Sequence, residues 1–177
     1  MSASFSIERV LFSEEQIETR IREVAAEISK RYAGQELTLV SVLKGSVFFL
    51  TALARHITIP VRIDFLAISP FAAPAGAPGV VRIVKDLDEG IQGHHVLLVE
   101  DIIDTGFTAR YLLQNLAGRS PASLGICVLL DRTTRRLAQL NIDFRCFEIP
   151  DRFVVGFGLD YRQLYRNLGY IAVMKHG

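Results

Sequence analysis

Residues 96–113 read VLLVEDIIDTGFTARYLL, in which an apolar segment leads directly into the carboxylates of Glu100, Asp101 and Asp104. Charged side chains are seldom fully buried without partners, because an unpaired charge loses its hydration on burial. We therefore expect the three acids to lie where a buried strand leaves the core and meets a cationic or hydroxylated ligand. The stretch predicts a strand, a ligand-binding loop and a helix, in that order.

The rest of the chain alternates between short apolar runs and helical patterns. Ser13 and Gln16 have the spacing of a capping box in front of an amphipathic helix. Strands are predicted at residues 37–43, 61–68, 80–87, 95–102 and 123–130, and helices at residues 14–32, 46–57 and 108–116. This alternation predicts an α/β fold with a doubly wound, mostly parallel sheet flanked by helices, and with ligands at the carboxyl ends of the strands. The strand-rich residues 143–177 are expected to form a small hood over that edge.

Composition restricts the classes of function. The chain has 177 residues, 50% of them hydrophobic, which suits a single domain over residues 1–177. Its formal net charge of +1 predicts no nucleic-acid partner and no membrane partner. The N-terminal sequence lacks a signal-peptide pattern and no apolar run reaches membrane-spanning length, so we expect a cytoplasmic protein. Cys127 and Cys146 lie in apolar runs, which predicts reduced core thiols.

Two turns between a strand and a helix have the composition of anion sites. In the first, residues 104–108, backbone N–H groups, the helix dipole, a glycine and hydroxyls converge, which suits a phosphate monoester. The second, residues 43–46, contributes the cation of Lys44 and a glycine. Glu100 and Asp101 precede the first turn and suit sugar hydroxyls with a divalent metal nearby. Together the two turns predict a sugar that carries phosphate at both ends.

The opening stretch resembles the phosphoribosyl-pyrophosphate motif of type I phosphoribosyltransferases, in which apolar residues, an acid pair and two apolar residues precede Asp-Thr-Gly-x-Thr. Two further segments resemble hypoxanthine-guanine phosphoribosyltransferases. LKGSVFF, residues 43–49, is similar to their diphosphate loop, and FEIPDRFVVGFGLDYRQLYRNLGYIAV, residues 147–173, to their purine-binding carboxyl end. The resemblance, which extends over residues 8–174, implies a purine-salvage enzyme. Such an enzyme transfers the phosphoribosyl group of phosphoribosyl pyrophosphate (PRPP) to N9 of hypoxanthine or guanine, giving IMP or GMP and pyrophosphate.

The resemblance also implies roles at the two phosphate turns. Glu100 and Asp101 would hold the ribose hydroxyls. The 5′-phosphate would be gripped by Asp104, Thr105, Gly106, Phe107 and Thr108. Asp104 would in addition face the purine N7 as general base or proton partner. The leaving diphosphate would be held by Leu43, Lys44, Gly45 and Arg166.

The resemblance also implies which residues form the base site and the metal site. The base site would consist of Arg132, Phe153, Val154 and Asp160. Phe153 would stack on the purine, and the backbone around Val154 would meet its Watson–Crick edge. The implied cofactor is Mg²⁺, with Glu100, Asp101 and Asp160 as its ligands. The implied partners are the small molecules PRPP, hypoxanthine and guanine, in a homodimer or homotetramer.

Two positions depart from the family pattern. The charge-free segment SPFAAPAGAPG, residues 69–79, is long enough to be a lid that keeps water away from the reacting sugar carbon. The family usually places a Ser-Tyr pair there, whereas this sequence has Pro70 and Phe71. The family also usually sets a lysine against the 6-oxo group of the purine, and this sequence has Arg132. The arginine leaves open a preference for xanthine.

Several alternatives stay open. His94 and His95 are expected to face solvent in a polar turn. Arg132 reads the base or points to solvent, and Arg135 and Arg136 assist the diphosphate or mark a subunit contact. Two other functions compete with purine salvage. One is a nucleotide-sensing regulator that binds RNA or DNA, which the net charge of +1 disfavours. The other is transfer to xanthine or to a pyrimidine.

Overall fold

The computed structural model describes residues 6–71 and 80–175. The predicted lid, residues 69–79, therefore falls mostly outside the described residues. Its first residues, 69–71, belong to the end of a strand. A lid function for the remainder stays a prediction.

A six-stranded mixed sheet forms the centre of the fold. Along the described residues the strands are β1 (Ser6–Phe12), β2 (Leu37–Leu43), β3 (Val61–Phe71), β4 (Val80–Lys85), β5 (His95–Ile103), β6 (Ser123–Asp131), β7 (Phe144–Glu148), β8 (Val154–Val155) and β9 (Ile171–Lys175). The strand order of the main sheet is β4-β3-β2-β5-β6-β7. Neighbouring strands are parallel except for β3 and β4. The predicted mostly parallel sheet is confirmed.

Three helices accompany the sheet in the described part of the chain: α1 (Glu14–Arg31), α2 (Ser46–Ala54) and α3 (Phe107–Ala117). The capping box of α1 is present, because Ser13 Oγ accepts from Gln16 N at 3.3 Å and Gln16 Oε1 accepts from Ser13 N at 2.9 Å. Helix α2 ends earlier than predicted. It ends at Ala54, and the N–H of His56 donates to Leu53 O at 3.1 Å in a tighter i→i−3 turn that closes the helix.

The helices cover both faces of the sheet, as a doubly wound fold requires. Leu39 and Leu97 pack in one core with α1 and α2, whereas Val40 and Leu98 pack in another with α3. Successive side chains of a strand point to opposite faces, so β2 and β5 are buried on both. This double burial explains why their sequences are apolar runs without alternation.

A second, three-stranded antiparallel sheet with the order β1-β9-β8 forms the hood. The expectation that the hood spans residues 143–177 was wrong at its start, since β7 extends the main sheet in parallel with β6. Its place is taken by β1, which was not predicted. Most side chains of β1 are exposed, and two register shifts interrupt its pairing with β9, so its sequence lacks the period of a half-buried strand.

The two sheets share one hydrophobic core. Val154, Ile171 and Val173 of the hood belong to the same buried cluster as Leu39 and Leu97 of the main sheet. This packing fixes the hood beside the carboxyl ends of the main strands.

The prediction that His94 and His95 face solvent was wrong. His94 and His95 are half-buried, and His95 is the first residue of β5. Its Nδ1 lies 2.8 Å from Ser123 Oγ of β6, and its ring lies 6.1 Å from that of Tyr32. Because the strand begins one residue after His94, the ring of His95 packs against neighbours instead of facing solvent.

The cysteine prediction is confirmed. Cys127 and Cys146 are free, buried thiols, and burial raises the pKa of Cys146 to about 12. A neutral thiol of this kind acts as a small apolar side chain. None of the helices in the described part of the chain combines the length and the apolar character needed to cross a membrane.

Candidate active site

The carboxyl ends of β2, β5 and β6 surround two cavities of about 320 and 350 Å³. Of the predicted residues, the first cavity is lined by Leu43, Lys44, Gly45, Glu100, Asp101, Asp104, Thr105, Gly106, Thr108 and Arg166. The second is lined by Asp101, Asp104, Arg132, Phe153, Val154, Asp160 and Arg166. The cavities adjoin, because Asp101, Asp104 and Arg166 line both. Two ligands bound in them would meet at these three side chains.

The first anion turn, residues 104–108, connects β5 to α3. Gly106 begins the helix with φ of 85°, a left-handed conformation that favours glycine. A Cβ there would also lie 3.0 Å from Leu140 Cδ1 and 3.2 Å from Ala138 Cβ. The helix has no side-chain cap and no acid in its first turn, which leaves its first N–H groups available to an anion.

Phe107 is the one predicted residue whose side chain is directed elsewhere. It is 45% exposed, and its ring lies 5.2 Å from the guanidinium carbon of Arg110. Only its backbone N–H, in the first turn of α3, is positioned for the anion.

The second anion turn, between β2 and α2, depends on glycine. The Leu43–Lys44 peptide bond is cis. A Cβ on Gly45 would collide with Asp101 Oδ2 and would lie 3.1 Å from Gly158 O and 3.2 Å from Arg166 Nη1. The turn thereby brings the backbone against the acids of β5.

Lys44 supplies the positive charge of this second turn. Its side chain is exposed. The ion pairs among the described residues do not include Lys44. Its ammonium group is therefore available to an anionic ligand in the first cavity.

Glu100 and Asp101 form a pair of acids, and neither takes part in an ion pair with another described residue. Burial raises the pKa of Glu100 well above its ordinary value, and the Asp101 carboxylate raises it further. Burial also raises the pKa of Asp101 to about 6, against the opposing effects of the Ile102 N–H group and Arg166. The N–H of Ile102 donates to Asp101 Oδ1 at 2.8 Å. A ligand that brings hydroxyl donors or a divalent cation would relieve this cost of burial.

Asp160 is engaged by its neighbours. Its Oδ1 lies 2.8 Å from Arg166 Nη2, and its Oδ2 accepts from Gln163 N at 2.8 Å. No group of three metal-binding side chains occurs within residues 6–71 and 80–175. Of the predicted metal ligands, Asp160 is already paired with Arg166, and the metal role of Glu100, Asp101 and Asp160 stays a prediction.

Arg132 is buried between the two halves of the site. Its side chain is 8% exposed, so the alternative of a solvent-facing Arg132 is wrong. Nη2 donates to Arg152 O at 2.7 Å, and Nη1 lies 3.4 Å from Asp104 Oδ1. Its Nε and Asp104 Oδ1 are buried without hydrogen-bond partners in the described structure. Leaving such atoms unpaired is costly, and Arg132 and Asp104 therefore meet at a polar contact that is incompletely satisfied in this structure.

An aromatic ring forms part of the wall of the second cavity. Phe153 is 38% exposed and meets the ring of Tyr161 edge-on, at 5.8 Å and 87°. Val154 follows it in β8, buried and paired with Val173. The hydrogen bonds of the hood thus hold an accessible ring at a cavity that a planar molecule can enter.

Arg135 and Arg136, left open by the sequence, have different surroundings. Arg135 lines the second cavity, with Nη1 3.6 Å from Asp104 Oδ2 and Nε 3.9 Å from Asp151 Oδ1. Arg136 pairs with the buried carboxylate of Asp131. Arg135 was therefore the site residue that sequence reasoning did not assign. Its position in the same basic loop as Arg132 was the available signal.

Two anion turns, a buried acid pair and an aromatic wall define a class of protein that brings a phosphorylated sugar and a planar base together on a doubly wound sheet. A family model, the phosphoribosyl transferase domain, matches residues 11–162. The chain belongs to this family.

Individual relatives show which members of this family the chain resembles. A hypoxanthine-guanine phosphoribosyltransferase of Mycobacterium avium is 47% identical over 174 residues, covering 95% of this chain and 86% of that protein. One of Streptococcus mutans is 42% identical over 170 residues, covering 96% and 94%. The similarity therefore extends over nearly the whole chain.

Solved structures agree with this family assignment. A hypoxanthine phosphoribosyltransferase of Trypanosoma cruzi in complex with the product IMP superposes with a TM-score of 0.90 at 42% identity, covering 96% of this chain and 95% of that one. A hypoxanthine-guanine phosphoribosyltransferase of Bacillus anthracis gives a TM-score of 0.91 at 39% identity, covering 97% and 99%. The type I phosphoribosyltransferase fold is thereby confirmed.

Proposed function

We propose that this protein is a purine-salvage enzyme that transfers the phosphoribosyl group of PRPP to N9 of hypoxanthine or guanine. The products are IMP or GMP and pyrophosphate. The observation that carries the proposal is the sharing of Asp101, Asp104 and Arg166 by the two cavities. PRPP in the first cavity and a purine in the second would meet there. The names of the relatives support the same reaction.

The donor would bind along the first cavity. Residues 104–108 would receive the 5′-phosphate at the start of α3, through backbone N–H groups and hydroxyls. Leu43, Lys44 and Gly45 would receive the diphosphate at the start of α2, with Arg166 next to Gly45. The charge that develops on the leaving diphosphate would be stabilised by Lys44 and Arg166, which are already in place.

The acid pair would bind the ribose. Glu100 and Asp101 can accept hydrogen bonds from the 2′ and 3′ hydroxyls once both carboxylates are charged. Their chemistry also fits Mg²⁺, which is usually held by one or two carboxylates together with substrate phosphates and water. When bound, the ion would neutralise negative charge on the diphosphate and help it to leave. Asp160 would join only by exchanging its contact with Arg166.

The base would occupy the second cavity. Phe153 would stack on the purine, while the backbone at Val154 would meet its Watson–Crick edge. Arg132 would donate to the 6-oxo group, and its place in the wall of this cavity supports the role. A guanidinium has only donors, which match an oxo group and do not match the amino group of adenine.

Bond changes at the sugar follow from these positions. The bond from C1′ to the diphosphate oxygen breaks as the bond from N9 to C1′ forms, and the diphosphate keeps the electron pair. The purine loses one imidazole proton. The carboxylate of Asp104, which lines both cavities and whose side chain is 41% exposed, would accept it from N7.

Further parts of the proposal concern the whole protein. We infer that residues 1–177 act as one domain, which the core shared by the two sheets supports. A homodimer or homotetramer and a cytoplasmic location complete the proposal. For one Trypanosoma cruzi relative, the role of the C-terminal region in the oligomeric state has been addressed.

Release of pyrophosphate tests the reaction. Purified protein with PRPP, hypoxanthine and MgCl₂ should release pyrophosphate and form IMP in equal amounts, and excess EDTA should abolish both. Pyrophosphate released without IMP would indicate hydrolysis of PRPP and would contradict transfer. A nucleic-acid-binding regulator would instead give no turnover and a shifted band with RNA or DNA in a gel assay.

A further inference from the structure

A carboxylate outside the two cavities is completely buried at the end of β6. Asp131 has 0% exposure and is contacted by two guanidinium groups. Arg136 approaches Oδ1 from the loop that follows the strand, and Arg145 approaches Oδ2 at 2.9 Å from β7. A buried carboxylate requires such partners because its hydration has been lost.

The loop that Arg136 anchors, residues 132–138, carries contacts to both cavities. Arg132 follows Asp131 directly and reaches Arg152 O and Asp104. At the other end, the N–H groups of Leu137 and Ala138 both donate to Thr105 O at 3.0 Å. The same loop therefore supports the base cavity at its beginning and the phosphate turn at its end.

Packing adds to these hydrogen bonds. Gly106 has so little space that an added Cβ would lie 3.2 Å from Ala138 Cβ. A displacement of the loop would therefore be transmitted to the phosphate turn. The Arg136 contact lies one residue before Leu137, where such a displacement would begin.

We propose that Asp131 and Arg136 form a positioning pair, which holds residues 132–138 so that the base site and the phosphate turn keep their spacing. The inference rests on the proposed transfer reaction. Neither side chain touches a substrate. The pair acts through Arg132 and through the carbonyl of Thr105.

Arg145 provides a matched control. It binds the same buried carboxylate but belongs to β7, which contributes no residue to either cavity within the described residues. Replacing Arg136 or Arg145 with methionine leaves Asp131 with one guanidinium partner in each case. A purely stabilising role of the cluster predicts that neither substitution changes KM, whatever its effect on the melting temperature. A positioning role predicts a kinetic effect for Arg136 alone.

The experiment compares steady-state kinetics of Arg136→Met, Arg136→Lys and Arg145→Met, well below the melting temperature of each variant. Arg136→Met should raise KM for both PRPP and hypoxanthine and lower kcat/KM roughly 10- to 100-fold, since small misplacements are costly in transfer reactions. Arg136→Lys, which keeps the charge, should recover most of this loss. Arg145→Met should stay within about twofold of the wild type, as expected for a partly exposed ion pair outside the site.

Equal kinetic changes in Arg136→Met and Arg145→Met would overturn the inference, as would a lower melting temperature of Arg136→Met with unchanged KM values. If Arg136→Met does not fold, the same comparison is made between Arg136→Gln and Arg145→Gln, and decides in the same way. The wild type is assayed in parallel. An inactive wild type would refute the transfer reaction itself, whereas an active wild type with equal variants refutes only the positioning pair.

Discussion

Asp104 lies at the junction of the two cavities, with Arg132 Nη1 3.4 Å from one carboxylate oxygen and Arg135 Nη1 3.6 Å from the other. Asp104→Asn keeps the size of the side chain and removes its ability to accept a proton. We expect kcat to fall by about 10²- to 10⁴-fold, the usual contribution of general acid–base catalysis. The Kd of PRPP, measured by calorimetry, should change little. Wild-type turnover of the variant with hypoxanthine would contradict the role of Asp104.

Arg132 is expected to discriminate between bases. Arg132→Lys keeps a cationic donor and should retain the preference for 6-oxopurines with a modest loss of kcat/KM. Arg132→Ala should raise KM for hypoxanthine and reduce the preference over adenine, because the penalty of about 1–3 kcal/mol for an unpaired donor disappears. The values of kcat/KM for hypoxanthine, guanine, xanthine and adenine measure this. Four unchanged values in Arg132→Ala would show that it does not read the base.

The raised pKa of Asp101 predicts that the stability of the folded protein depends on pH. Burial raises its pKa from 3.8 to about 6 in the folded protein. The folded state therefore binds the proton more tightly than the unfolded state, and the stabilising contribution present below pH 4 is lost as the pH rises through 6. Asp101→Asn never acquires the buried charge. In EDTA, without ligands, it should be more stable than the wild type at pH 8 by up to about 3 kcal/mol, and by less at pH 5.

Asp86→Asn is the control for this pH dependence. The hydrogen bond from Arg119 lowers the pKa of Asp86 from its ordinary value of 3.8, so this carboxylate stays charged at both pH 5 and pH 8. The difference in unfolding free energy between Asp86→Asn and the wild type should therefore be the same at pH 5 and pH 8. Urea unfolding curves at both pH values provide the comparison. A gain for Asp101→Asn that does not grow with pH would contradict the assigned cause.

At the scale of elements, the turn between β2 and α2 is the most sensitive part of the site. Gly45→Ala should raise KM for PRPP at least about tenfold, because the new Cβ collides with Asp101 and forces the diphosphate turn away from the acids. Gly90→Ala is the matched control, since a Cβ at Gly90 meets nothing within 4 Å. Steady-state titration with PRPP compares the two. Similar KM values for both variants would contradict the close packing of the turn.

The elements that could be predicted are those whose determinants are local in sequence. The capping box of α1, the double-sided burial of β5 and the glycine turn at Gly106 each depend on neighbouring residues. The hood, in contrast, depends on pairing between strands that are far apart in the sequence. β1 is specified mainly by its pairing with β9 at the other end of the chain, and β7 joins the main sheet because β6 offers a free edge.

Some site residues could likewise be predicted from local sequence, whereas others are brought together only by the fold. The acids of residues 100–104 stand out because they follow an apolar strand, and the fold places them as expected. The contact of Arg135 with Asp104 and the pairing of Asp131 with Arg136 and Arg145 arise from tertiary structure. No spacing in the sequence encodes them.

At the scale of the whole molecule, the hood and the main sheet build the site together. The main sheet supplies both anion turns and the acid pair, and the hood supplies Phe153, Val154 and Arg166. The core shared by the two sheets holds the walls of the two cavities together. Charge contributes locally and not globally, since the formal net charge is only +1.

Competition between bases is the measurement that tests the proposed function most directly. Equal concentrations of hypoxanthine, guanine, xanthine, adenine and uracil are incubated with limiting PRPP and Mg²⁺, and the nucleoside monophosphates are quantified by mass spectrometry. We predict that IMP and GMP make up nearly all of the product, with AMP and UMP lower by roughly 100-fold or more. A product dominated by XMP, AMP or UMP, or the absence of any nucleotide, would contradict a hypoxanthine-guanine phosphoribosyltransferase.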